Sequence, residues 1–173
     1  MGTRSLTTFI ETYKDDSGKQ KKHEIVTMYR QYDGYPTGHG LDLAEFLSQG
    51  KLVNGIGLDD TIVFNGMGCL TAQVIAEFKD GAGGIYLQRA NKDSGEEYRY
   101  QVIGDFNTKE ITIKILEVGY MKGDKYINKT KTLFEGTPQK MLEFCSQEQE
   151  ADEISNKEEN NWLKKGRNVK VSP

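Results

Sequence analysis

Cysteine, proline, histidine and tryptophan are all scarce in this chain: two, three, two and one among 173 residues. Two cysteines as far apart as Cys69 and Cys145 make no disulfide framework. Their apolar neighbours (Leu70; Met141, Leu142, Phe144) predict buried free thiols in a reducing compartment. With only His23 and His39, and no H-x-x-x-H or C-x-x-C spacing, no metal centre and no cofactor are implied. No apolar run approaches the length of a bilayer span, and the start MGTRSLTTFIETYKDD lacks the apolar stretch of a secretion signal. Asn128 in NKT and the MGTRSL start match short glycosylation and myristoylation patterns of the kind that chance produces often. The expectation is a cytoplasmic protein without membrane partners. A formal net charge of −3 argues against non-specific attraction to nucleic acid.

What the chain does have is alternation, glycine and tyrosine. SLTTFIETYK and HEIVTMYRQY, rich in β-branched and aromatic residues, flank an Asp-Ser-Gly turn and predict a hairpin. In LDLAEFLSQGK, Leu43, Phe46 and Leu47 share a helical stripe that Gly50 ends. The segment LVNGIGLDDTIVFNGMG reads as a loop, followed by a second helix in CLTAQVIAEFKDG with Leu70, Val74 and Phe78 at intervals of four. IYLQRA, EEYRYQVIGDF, EITIKILEVGYM and YINKTKTLF then read as four strands with short turn-forming separators, an antiparallel meander. Thr137 as N-cap and Pro138 at the first helical position open a last helix. The expected architecture is α+β, in the order ββ-αα-ββββ-α: an antiparallel sheet of about six strands with helices on one face. Residues 1–145 form the domain, and 146–173 a charged extension, acidic first (QEQEADE) and basic later (WLKKGRNVK).

One stretch, YRQYDGYPTGHGLDLAEFL at 29–47, has more chemistry than a turn needs. It runs from a strand into a helix start, where amides without intrahelical partners attract anions. Gly38 and Gly40 allow close approach to the main chain, and Arg30 and His39 offer charge and a proton donor. Tyr32 and Tyr35 offer flat faces for a ring, with Asp33 beside them. A second glycine-bearing helix start, FNGMG at 64–68, supplies Asn65, Gly66 and Gly68, and the two mouths could converge on one small phosphate-bearing, nucleotide-like ligand. The plainer reading is a turn in which the tyrosines pack over the helix and Asp42 serves its dipole. Neither loop carries a named phosphate fingerprint.

Catalytic signals are thin. A Cys69–His39 pair, a carboxylate site at Asp59 and Asp60, and a hydrolase or transferase built on Asp33 or His39 are the candidates, and no G-x-S-x-G elbow is present. Arg89, Arg99, Lys114, Lys129 and Lys131 with Tyr86, Tyr98 and Tyr100 outline a stacking platform for single strands, but interspersed glutamates favour a solvated face. Trp162 and Leu163 could dock the extension onto its own domain or onto another copy. The segment MYRQYDGYPTGHGLDLAEFL at 28–47 resembles one found in small proteins of unknown function from bacteriophages and other large DNA viruses. That resemblance implies a viral accessory setting, in the host cytoplasm, and no activity. The leading expectation is therefore a non-catalytic binding protein. A hydrolase or transferase using the same loop, and an interaction or assembly protein, are the alternatives.

Overall fold

In the computed structural model, residues 2–55, 62–89, 92, 94–122 and 125–167 are described. Two long strands, β1 (Ser5–Lys14) and β2 (Gln20–Arg30), form the predicted hairpin. Its turn is fixed by Asp15, whose Oδ1 accepts from the amides of Ser17 and Lys19, and by Gly18 at φ +77°. A single π-helical turn, Pro36–Gly40, feeds α1 (Leu41–Ser48). The segment expected to be a loop instead holds a two-stranded parallel pair, β3 (Gly50–Val53) with β4 (Ile62–Asn65). Then come α2 (Gly66–Phe78), β5 (Ile85–Gln88), β6 (Tyr98–Asp105), β7 (Ile111–Lys122), β8 (Lys125–Gly136) and α3 (Pro138–Arg167).

The main sheet has six strands in the order β5-β2-β1-β6-β7-β8, with helices on one side, so the α+β class holds. It is mixed rather than purely antiparallel, because β6 runs parallel to β1, Thr7 opposite Tyr100 and Phe9 opposite Val102. The four-strand meander is likewise corrected to three, β6-β7-β8, while β5 crosses to the far edge and pairs with β2. Short separators signal a turn, but they do not say which edge a strand will join; that is settled by long-range packing.

The helix-facing side of the sheet carries Phe9, Met28, Tyr100, Val102, Ile113 and Ile115, all fully buried. Against them lie Leu43, Ala44 and Leu47 of α1, Leu70 and Val74 of α2, and Met141 and Cys145 of α3; of the two stripes that the sequence spacing picks out, Leu43, Leu47, Leu70 and Val74 are buried and Phe46 and Phe78 partly so. Truncating any one of the large residues to alanine would cost about 2–5 kcal/mol in lost transfer energy and residual cavity. Gln139 Nε2 donates to the Ser48 carbonyl, and Gly40 lies against Cys145, so α1 and α3 run antiparallel side by side. Thr137 caps α3 as expected, accepting the Lys140 amide at its hydroxyl and the Met141 amide at its carbonyl. The boundary placed at 145/146 falls inside α3, which continues unbroken into the charged extension. The outer edge strand β8 carries exposed Lys125, Lys129 and Lys131 and two register shifts against β7, devices that discourage edge-to-edge association.

Candidate functional site

The 29–47 stretch is organised around a buried histidine. His39 is fully buried, and both of its ring nitrogens are engaged. Nε2 lies 2.7 Å from the Thr7 hydroxyl and Nδ1 lies 3.0 Å from Arg30 Nη1. A guanidinium can only donate, so Nδ1 accepts from Arg30, and the ring's single proton sits on Nε2 and is donated to Thr7. Arg30 is held in turn by Asp42 Oδ2 at 3.3 Å and by the Tyr32 carbonyl, which accepts from Nε at 3.0 Å. Phe78 and Tyr100 meet the imidazole edge to face, at 5.7 and 5.0 Å between centroids. Burial first, and the Arg30 charge second, push the His39 pKa down from 6.5 to about 3, so the ring is neutral at physiological pH.

This chain of bonds, Asp42 to Arg30 to His39 to Thr7, joins α1, β2, the π turn and β1. Tyr100, on β6, adds a buried bond from its hydroxyl to the Gly34 carbonyl at 2.9 Å. The glycines are there for closeness to protein: a Cβ on Gly34 would stand 2.8 Å from the Arg4 and Ser5 backbone, and one on Gly38 2.7 Å from the Asp33 carbonyl oxygen.

The helix mouth expected at Gly38–Gly40 is closed. The amides of Gly38 and Gly40 donate to the Tyr35 carbonyl, and that of His39 donates to the Asp33 carbonyl at 2.8 Å. Those amides are therefore satisfied within the turn and do not await an anion. Nor do the two glycine-bearing starts converge. His39 packs on Phe78, the last residue of α2, whereas Asn65, Gly66 and Gly68 stand at the first turn of that helix, about 18 Å away along its axis. Met67 of that first turn packs over Gly104, at the other end of the sheet. Asn65 Oδ1 accepts the Gly55 amide there.

The structure does bring together Arg30, Tyr32 and Asp33. With Phe78, Asp80, Gly83, Gly84 and Ile85 they line a surface hollow of about 250 Å³. Asp33 holds a left-handed backbone, φ 55°, uncommon for a residue with a side chain. Tyr32 is half exposed above the hollow. Tyr35 faces a different and larger hollow of about 610 Å³, with Pro36, Thr37, Tyr98, Lys131, Leu133 and three carboxylates, Glu117, Glu148 and Asp152. Burial, followed by Glu117, Glu97, Asp152 and Glu148, raises the Tyr98 pKa.

The other candidates separate. Cys69 is half-buried, three residues into α2, with Gln73 Nε2 donating to its sulfur at 3.1 Å, and His39 does not reach it. Burial, and then Glu148, push the Cys145 thiol up to about 12. Asp59 and Asp60 lie outside the described residues, as do the side chains of Trp162 and Leu163. On the sheet, Arg99 pairs with Glu96 at 2.5 Å, Lys114 with Glu135 at 2.8 Å and Lys131 with Glu117 at 4.0 Å, so three of the five basic residues of the stripe are matched by carboxylates. No cluster of metal-ligating side chains occurs among the described residues. No helix among them is long and apolar enough to cross a membrane. Phe78, Asp80, Gly83 and Gly84 were missed by sequence reasoning; DGAGG after a helix end reads only as a turn. No protein-family model, no curated protein and no solved structure matches this chain.

Proposed function

We propose that the chain is a binding protein rather than a catalyst, and that it receives a small ring-bearing ligand in the hollow beside Arg30 and Tyr32. The observation that supports this is the tethering of Arg30: Nε and Nη1 are bonded to Tyr32, His39 and Asp42, which fixes a guanidinium at the wall of a hollow that Tyr32 and Phe78 also line. A charge pre-set in this way costs little ordering on binding. The volume, about 250 Å³, suits a base or a nucleoside fragment rather than a dinucleotide. Asp33 and Asp80 oppose one arginine there, so a single phosphate is accommodated better than a chain of them. The phosphate-bearing ligand is thus narrowed to a nucleoside or its monophosphate. His39 is unsuited to general base work, being buried, neutral and bonded at both nitrogens.

Isothermal titration with nucleosides, nucleoside monophosphates and nucleoside triphosphates tests the site. Saturable binding of a monophosphate is expected, lost in Tyr32→Ala and tightened in Asp80→Asn. Failure of all three classes, or identical binding by both variants and wild type, would remove the reading. Arg30→Ala is the wrong probe, because it also strips the buried His39 of its partner. Steady turnover of a nucleotide, abolished by Asp33→Asn, would replace binding by hydrolysis or transfer. Two unpaired cysteines, one fully buried, suit a reducing, cytoplasmic setting, and the 28–47 resemblance suits a viral accessory role. The exposed stretch 147–157 of α3 favours self-association as well.

A further inference from the structure

Resting on that reading of α3 as a self-association element, we infer that two copies of the chain pair through their α3 helices in antiparallel orientation. With 30 residues, α3 is about 45 Å long, and the buried residues described on it lie at its beginning. Met141 and Cys145 are buried and Leu142, Phe144 and Ser146 half-buried, whereas every residue from 147 to 157 is exposed. A helix that leaves its domain gains nothing from a core, and propensity alone holds an isolated helix only marginally in water. Glu148 and Asp152 line the hollow beside Tyr35 and Tyr98, which leaves the outward side of this stretch for a partner.

The charge order along the helix identifies that partner. Glu148, Glu150, Asp152 and Glu153 fill the first exposed turns with no basic residue among them, and Lys164, Lys165 and Arg167 fill the last turn with no acidic one. The two blocks lie on one continuous helix, so they cannot meet within one chain. A second copy laid parallel would set acid on acid and base on base. Laid antiparallel and crossing near Lys157, it sets each acidic block beside the other's basic block, under a twofold axis. The same alignment brings the Ala151–Ile154 turn of one copy level with the Trp162–Leu163 turn of the other. Opposed helix dipoles add a small term of the same sign.

The test is the mass of the full chain by sedimentation equilibrium at low salt. Wild type is expected at twice its chain mass, weakening as salt screens the surface charges. The exposed substitutions E150K/E153K, and separately K164E/K165E, each set like charges across the pairing. Each pair is expected to raise the dissociation constant roughly a hundredfold, at up to about 1 kcal/mol per exposed contact. Combining all four in one chain restores opposite charges in the antiparallel arrangement and is expected to restore the dimer. Unchanged far-ultraviolet circular dichroism of the variants shows that the helix itself persists. A monomeric wild type would overturn both self-association and this pairing. A dimer indifferent to either pair of reversals, or one that the combined variant fails to rebuild, would overturn the antiparallel pairing alone.

Discussion

Replacing His39 by glutamine separates the ring's hydrogen bonds from its titration. Glutamine has an oxygen to accept from Arg30 and an amide to donate to Thr7, but no proton equilibrium near neutrality. In the folded protein the ring titrates at about 3, against 6.5 as its ordinary value. The unfolded chain therefore binds a proton that the folded chain refuses whenever the pH lies between those values. Stability is full above pH 6.5 and falls as the pH drops towards 3. Each pH unit within the window is worth about 1.4 kcal/mol, so some 2–3 kcal/mol should be lost between pH 6.5 and 4.5. Asp15, Asp105 and Glu97 have lowered pKa values and weaken the fold in the same direction, but only towards the carboxylate range below that interval. Urea unfolding of wild type and His39→Gln at pH 7.0, 6.0, 5.0 and 4.5 isolates the histidine. The wild-type midpoint should slide across this series while the variant's stays nearly level, the variant starting lower at pH 7 because glutamine fills the ring's space poorly. Parallel slopes in the two proteins would show that His39 is accessible and protonates when folded, and the buried relay would have to be abandoned.

Other outcomes follow from single contacts. Tyr100→Phe removes the buried bond to the Gly34 carbonyl and should cost about 1–2 kcal/mol in urea unfolding, the carbonyl being left without its donor. Gly34→Ala drives a methyl to 2.8 Å from the backbone at Arg4–Ser5, and should lower the melting temperature by several degrees, about 2 kcal/mol. Cys145, buried with its thiol pushed up to about 12, should resist iodoacetamide in the native protein while the half-buried Cys69 is alkylated first; mass spectrometry before and after adding denaturant reads the difference.

Local signals carried well from sequence to structure, and long-range choices did not. The hairpin at Asp15–Gly18, the stripe of Leu70 and Val74 and the Thr137–Pro138 helix start each depend on residues a few positions apart, and each is found. The departure of β5 to pair with β2 depends on what covers the far edge, which no turn residue between Gln88 and Tyr98 encodes. The parallel pairing of β6 with β1 is of the same kind. The site shows the same division. That Arg30, Tyr32 and Asp33 lie together was legible because they are near neighbours in the chain. That His39 is internal was not, because its partners Thr7, Phe78 and Tyr100 come from three other elements. A hint was present in Thr7 itself. It shares the inward face of β1 with Phe9, and a hydroxyl on an apolar face needs a buried partner. The GHG run suggested an open helix mouth, but whether amides are free depends on the carbonyls of Asp33 and Tyr35, which sequence spacing alone does not place.

The most direct measurement is a nitrogen-15 spectrum of the His39 side chain between pH 4.5 and 8. A locked ring should hold one neutral form throughout, protonated at Nε2 and bare at Nδ1 where Arg30 donates. A ring that titrates near its ordinary 6.5, or carries its proton on Nδ1, would contradict the buried Asp42–Arg30–His39–Thr7 chain and with it the fixed arginine at the hollow.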